Sequence, residues 1–380
     1  MEVTDYIDVC RFFTVDIFEF KLVKFCLIFS KLALKPLILL QAYFFLKNFE
    51  LKYFIQYAPV YFIAVYILAC LHCQPLMTNL INTYTPRLQL WKIEEVTQKI
   101  ATEAKQIWIY ITLYMFTATT LSFIITLSYV IPTAKDKDLI FFFKIVEIYF
   151  PQWENYMVWT IKVMLLVGIY VGVSIPVFPI FYLSGHFTLQ KMMFVHHLHQ
   201  INSKHTKLKY LKSNYVEYHR EIETKLTLCV QNHAQFSGWC FEALRSTRVY
   251  VFPYKIIGTI VMASVILVFF AFEGSLSDQY LRIAGTAVTT SVTLLGLVVS
   301  GQRIEDLSED IYDALIQVEW YYWNLKNKKK YLFFLVNTKR KFKIKYTEDI
   351  SLNYQLGLQV VKAIFSAMSV IYNLQQKKYS

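Results

Sequence analysis

Charge is scarce in this sequence. Acidic and basic residues make up only 17% of its 380 residues, against 56% apolar and 17% aromatic. Too little polar surface remains to cover such a chain in water, which excludes an ordinary soluble globular protein. Cysteine is scarce as well. Cys10, Cys26, Cys70, Cys73, Cys229 and Cys240 are too few and too scattered for a disulfide framework. Cys70-Leu-His-Cys73 has the gap of a metal pair, but no second pair follows to complete the four ligands of a zinc site. The histidines of Phe194-Val195-His196-His197-Leu198-His199, with His205 beyond, have no carboxylates or thiols at metal spacing, so His196 and His199 read as a solvated or interhelix face. No metal and no cofactor is expected. The chain also lacks a glycine-rich phosphate loop and a nucleophile elbow, so nothing in it supports an enzyme. Asp5, Asp8, Arg11, Asp16, Glu19, Lys21 and Lys24 leave no room for the apolar core of a cleavable signal peptide. A cytosolic N-terminus follows as the expectation.

Long uncharged runs are what the sequence does have. A helix rising about 1.5 Å per residue needs about 20 apolar residues to cross about 30 Å of hydrocarbon. Tyr53–Pro86, Gln106–Ala134, Val163–Gln190 and Ile283–Gln302 meet that length. Ile256–Phe272, extended by Tyr250–Tyr254, makes a fifth. Leu32–Leu46 is interrupted by Lys35, which can snorkel to the headgroups, and Ile350–Gln376 by Lys362, which falls near mid-membrane. Together they predict an all-α polytopic membrane protein of seven spans. Pro176 and Pro179 predict a kink in the fourth.

The net charge of +12 would suit nucleic acid in principle, but the basic residues cluster between the runs, where they act as topology signals and no nucleic-acid partner is expected. Of the 39 Lys and Arg, 27 fall on the side of the N-terminus and 8 on the opposite side. The positive-inside rule therefore predicts a cytoplasmic N-terminus and an extracellular C-terminus. The division expected is 1–31 as a cytoplasmic N-terminal segment, 32–302 as six spans, 303–349 as cytoplasmic anchor helices and 350–376 as the seventh span.

Two cytoplasmic segments are long. His186–Arg248 predicts helices that extend below the bilayer, and Arg303–Asp349 reads as a helix, a Lys-rich turn and a further apolar stretch. In the second, Ile304, Leu307, Ile311, Leu315 and Val318 recur at three- and four-residue intervals. Such a stripe must be buried, either on other cytoplasmic helices or on another subunit. On the outer side, Phe141-Phe142-Phe143 and Tyr149-Phe150-Pro151-Gln152-Trp153 suit either an interfacial belt or a lid over an outer cavity.

Gly301-Gln-Arg-Ile-Glu-Asp-Leu-Ser308, followed by Ala314 and Glu319-Trp320-Tyr321, resembles the stretch after span six of the insect odorant receptors. Val361-Lys362-Ala-Ile-Phe365-Ser366-Ala-Met-Ser-Val370-Ile371 is similar to the closing span of that family. Leu228-Cys229-Val230-Gln-Asn-His233 resembles its element before span five, and Tyr149–Trp153 its outer loop. The motifs cover about residues 225 to 375 and the architecture most of the chain. The rivals are a gustatory-type receptor channel, a seven-span receptor of conventional orientation, and a transporter or membrane enzyme. Asn353–Phe365 lacks the gustatory signature. No Asp-Arg-Tyr follows span three and no Asn-Pro-x-x-Tyr closes span seven, as a conventional seven-span receptor would have. No internal repeat supports a transporter.

The resemblance implies a tetrameric ligand-gated cation channel in olfaction, sited in the plasma membrane of a sensory dendrite. The second cytoplasmic segment is short for the obligatory co-receptor, which implies a ligand-tuned subunit paired with that co-receptor in a heterotetramer. Four copies of span seven would line the pore. Lys362, Ser366, Val370 and Leu374 share one helical face, with Val370 and Leu374 as the implied gate. Ile304, Leu307, Ser308, Ile311, Leu315 and Trp320 would belong to the subunit anchor. Small volatile organic ligands bind in apolar, aromatic cavities, for which Tyr57, Tyr61, Ser122, Tyr129, Trp159 and Tyr280 are the candidates.

Overall fold

The computed structural model describes residues 2–47, 50–88, 90, 98–133, 136–203, 215–271, 280–345 and 350–379. The strongest uncharged runs form α3 (Leu51–Arg87), α4 (Gln98–Val130), α7 (Glu154–Ser203), α8 (Tyr215–Ala271) and α9 (Tyr280–Ile316). These five are long and apolar enough to cross a membrane. The two runs broken by lysine are helical too, as α2 (Lys21–Lys47) and α11 (Tyr354–Tyr379). The chain is an all-α polytopic membrane protein.

Helix lengths follow from uninterrupted helix-forming sequence. The 50 residues of α7 and 57 of α8 correspond to roughly 75 and 85 Å. Each therefore projects well beyond the roughly 30 Å of a hydrocarbon core. Pro176 and Pro179 lie inside α7 and Pro253 inside α8, where packing against neighbouring helices supports the freed backbone groups. From 171 to 187 every residue of α7 is buried. A stretch that is apolar all round belongs in the middle of a bundle, and α7 accordingly packs on α3, α4 and α9. Gly185 lets α4 approach: a Cβ there would stand 2.9 Å from the Trp108 ring and 2.8 Å from Ile111.

The N-terminal segment holds a helix of its own. In α1 (Val3–Thr14), Asp5, Asp8 and Arg11 are exposed, while Val3 and Cys10 face α4 and α7. Cys10 Sγ lies 3.2 Å from Thr112 Oγ1, and burial pushes its thiol up to about 11. The first three charges that spoil a signal peptide are thus the outer face of an amphipathic helix folded onto the bundle.

At one end, here the roof, two short helices connect α4 to α7: α5 (Asp136–Leu139) and α6 (Phe141–Tyr149). Phe142, Phe143, Ile145 and Val146 are buried, while Tyr149, Phe150 and Trp153 are exposed. The aromatics of this stretch thus divide, some turned into the bundle and some outward.

At the other end stands the segment expected as the anchor. Ile304, Leu307, Ile311, Leu315 and Val318 are all buried within the chain. They share a core with Leu226, Phe236, Tyr331, Phe334, Phe342 and Ile344. Ser308 Oγ accepts the Phe342 N–H at 2.6 Å, and Trp320 stacks on Tyr331 with centroids 5.9 Å apart. The Lys-rich stretch departs from the expected turn. It begins α10 (Leu325–Asn337), because Asn324 caps the Asn327 N–H at 2.9 Å and Lys326 and Lys330 pair with Glu223 of α8.

Gly301 joins anchor and final helix. A Cβ there would collide with the Leu352 carbonyl oxygen, so only glycine allows this approach. Asn353 then caps Leu356 at 3.1 Å, and Gln302 accepts the Tyr354 N–H at 3.2 Å, which starts α11.

Candidate ligand cavity and pore helix

Below the roof, α3, α4, α7, α8 and α9 surround a cavity whose walls are mainly aliphatic: Val60, Ile63, Ile67, Ile125, Leu165, Ile169, Val173 and Val261, with Ile140 of the roof. Counted over positions open to the centre of a water-sized sphere, its volume is about 80 Å³. One water needs roughly 10–15 Å³ on that measure, so the space suits a small organic molecule. Two glycines make room. A Cβ at Gly172 would meet only an ordinary contact, 3.5 Å to the Tyr66 ring, and one at Gly258 meets nothing within 4 Å.

Polarity is confined chiefly to one wall. Thr286, Thr289, Thr290 and Thr293 recur along α9 at helical spacing and all line the cavity. Each hydroxyl donates to the carbonyl four residues back, at 2.8 Å. Tyr129 Oη lies 2.9 Å from Thr286 Oγ1.

The roof is fastened by buried charge. Asp136 receives Lys162 Nζ at 3.0 Å and Arg282 Nη1 at 2.5 Å, and the three side chains are 8%, 3% and 4% exposed. Lys162 also donates to the Val130 carbonyl, Arg282 to that of Ile131, and Thr133 to Asp136. Burial pushes the Asp136 carboxyl up, but hydrogen bonds from Thr133, Arg282 and Lys162 outweigh it and leave the carboxyl below its ordinary range. The Arg282 guanidinium sits 5.6 Å from the Tyr129 ring centroid, so the fastening abuts the cavity wall.

Of the aromatic and polar candidates, Tyr129 lines this cavity. Tyr57 is buried beneath the roof, 5.1 Å from the Phe141 ring, and its hydroxyl donates to the Lys137 carbonyl at 3.3 Å. Tyr61 packs against Phe45 and Phe62. Ser122 is buried and donates to its own helix at Thr119. Trp159 is exposed and borders a separate groove between α2 and α7, with Phe25, Phe29 and Ser30. Tyr280 opens α9, but its side chain lies outside the described residues.

Sequence reasoning missed the threonine wall, the two glycines and the Asp136 group. The threonines did carry a signal, three- and four-residue spacing inside an uncharged run. The Asp136 group carried none, since its members are 26 and 146 residues apart.

On the final helix, Lys362 and Ser366 are exposed, and Ser366 donates to the Lys362 carbonyl at 2.9 Å. Val370 and Leu374 belong to the same helix, but their side chains lie outside the described residues. Leu356 is buried at the helix start, after which Leu358, Val361 and Phe365 are 55%, 59% and 71% exposed. Among the described residues no group of three histidines, cysteines or carboxylates is placed to hold a metal. His205 lies outside them.

Residues 81–365 match the family described as 7tm Odorant receptor, which is most of the chain. The chain belongs to the insect odorant receptor family. Odorant receptors of this family are ion channels of olfaction and not enzymes. No curated protein matches the sequence. The receptor's fold is similar to that of the insect olfactory receptor OR5 from Machilis hrabei in complex with eugenol: the TM-score is 0.66 at 9% identity, over 98% of this chain and 97% of that one. A second structure of the Machilis hrabei receptor gives 0.68 at 9% identity, over 92% and 88%. Those likenesses carry the fold.

Proposed function

We propose that this odorant receptor is the ligand-tuned subunit of a ligand-gated, non-selective cation channel that binds small volatile organic molecules. It works with a co-receptor subunit in a heterotetramer in the plasma membrane of a sensory dendrite. One observation carries the reading: the bundle holds an aliphatic cavity, and the final helix leaves large apolar side chains exposed among its described residues. Leu358, Val361 and Phe365 are exposed, whereas Leu356 at the helix start is buried. Four such helices around an axis cover one another and enclose a path. The OR5 structure with bound eugenol supports a small organic ligand for the cavity.

In this reading Val370 and Leu374 form a ring of aliphatic side chains that blocks ions by excluding water, and small rotations of the helices open it. Lys362 and Ser366 share that face nearer the anchor. Ile304, Leu307, Ile311 and Leu315 hold the anchor together internally, so contacts between subunits fall to its exposed residues, such as Tyr321, Leu325 and Phe333. The roof is extracellular and the anchor cytoplasmic, as the distribution of Lys and Arg supports. The test is to record current against an odorant panel with and without a co-receptor subunit. Odour-evoked cation current only in the pair supports the reading, and an extracellular N-terminal tag contradicts its orientation.

A further inference from the structure

The hydroxyl protons at the polar wall can be counted. A threonine or tyrosine hydroxyl has one proton to donate and lone pairs to accept with. Thr286 gives its proton to the Arg282 carbonyl, Thr289 to Gly285, Thr290 to Thr286 and Thr293 to Thr289. Thr286 therefore has none left for Tyr129, and the 2.9 Å contact between their oxygens must be donated by Tyr129. All five protons are committed and the oxygens keep free lone pairs. The other lining hydroxyl, Tyr66, is engaged with the Cys70 thiol one turn further along α3. The rest of the lining is aliphatic or glycine.

From this count we propose that the cavity is an acceptor-only site, selecting small apolar molecules that carry a hydroxyl donor, an alcohol or phenol, over the matching ethers. The inference rests on the reading of this cavity as the ligand site. A ligand hydroxyl gives its proton to a threonine or to Tyr129 and so keeps its donated hydrogen bond on leaving water. The oxygens of hydroxyl and ether alike find no donor there, so the donated bond, which the ether cannot make, separates the two.

The test uses the purified full-length receptor in lipid nanodiscs, with 4-ethylphenol and its methyl ether 4-ethylanisole as probes and binding read by thermal shift and mutual displacement. The phenol is expected to bind about five-fold more tightly, the size of effect one buried hydrogen bond produces. Thr286→Val removes the acceptor of Tyr129 and frees its proton, so the preference should vanish or reverse. Thr290→Val removes one acceptor and frees no proton, so the sign should hold. A purely structural role for Thr286 would weaken both probes alike. Equal affinity in the unmutated receptor overturns the donor rule and leaves the cavity reading standing. If Gly258→Leu, which fills the open space at that position, leaves both affinities unchanged, the cavity reading itself fails and the donor rule with it.

Discussion

Arg282, at the start of α9, donates to Asp136 of the roof at 2.5 Å with both side chains almost fully buried. Because Lys162 shares the same carboxylate, Asp136 is an anion paired with two buried cations. Asp136→Asn removes the carboxylate that both pair with. Breaking a buried pair from one side costs about 3–5 kcal/mol, so this variant should lose thermal stability by a comparable amount, measured by unfolding in detergent. Arg282→Met leaves the Lys162–Asp136 pair intact and should lose less.

The same group sets a pH dependence. A carboxyl held below its ordinary value contributes stability that is fully present above the unfolded pKa of about 3.9 and lost as pH falls through the folded value. Asp136 is of that kind. Its contribution should stay constant from neutral pH down to about 5 and disappear only at lower, strongly acidic pH. Thermal stability measured from pH 7 to 3 checks this, because the difference between Asp136→Asn and the unmutated receptor should shrink only at the acidic end.

Gly301 and Gly258 predict opposite outcomes for one substitution. A methyl at Gly301 meets the Leu352 carbonyl, whereas at Gly258 it meets nothing within 4 Å. Gly301→Ala should destabilise by about 1–3 kcal/mol through overpacking and disturb the start of the final helix. Gly258→Ala should be neutral or slightly stabilising, since alanine favours helix by roughly 1 kcal/mol. Parallel melting curves and surface expression decide between them.

Ser308 lies on the anchor helix, and its hydroxyl accepts the buried Phe342 N–H. Ser308→Ala leaves that donor unpaired, at a cost of about 1–3 kcal/mol. Faster hydrogen exchange confined to residues near 342 is the expected signature.

The bundle was legible because crossing a membrane leaves a local mark, a run of about 20 residues without charge. The stripe from Ile304 to Val318 was legible for the same reason, since helical periodicity is local. Of the ligand candidates whose side chains are described, Tyr129 alone reached the cavity, because aromatic content marks a depth in the bundle and not a direction around a helix. Asp136, Lys162 and Arg282 sit at the edges of uncharged runs, where each reads as a flanking topology signal, and only tertiary packing joins them. The anchor helix Leu325–Asn337 was hidden by its lysines, whose pairing with Glu223 of a distant helix offsets their repulsion.

The central claim is that the final helix lines a gated pore. It is tested most directly by replacing Val370 and Leu374 with serine, singly and together, and recording current in the presence of a co-receptor subunit. The account predicts a standing leak without odorant and altered ion selectivity. Unchanged leak and unchanged selectivity in the double variant, at normal surface expression, would contradict it.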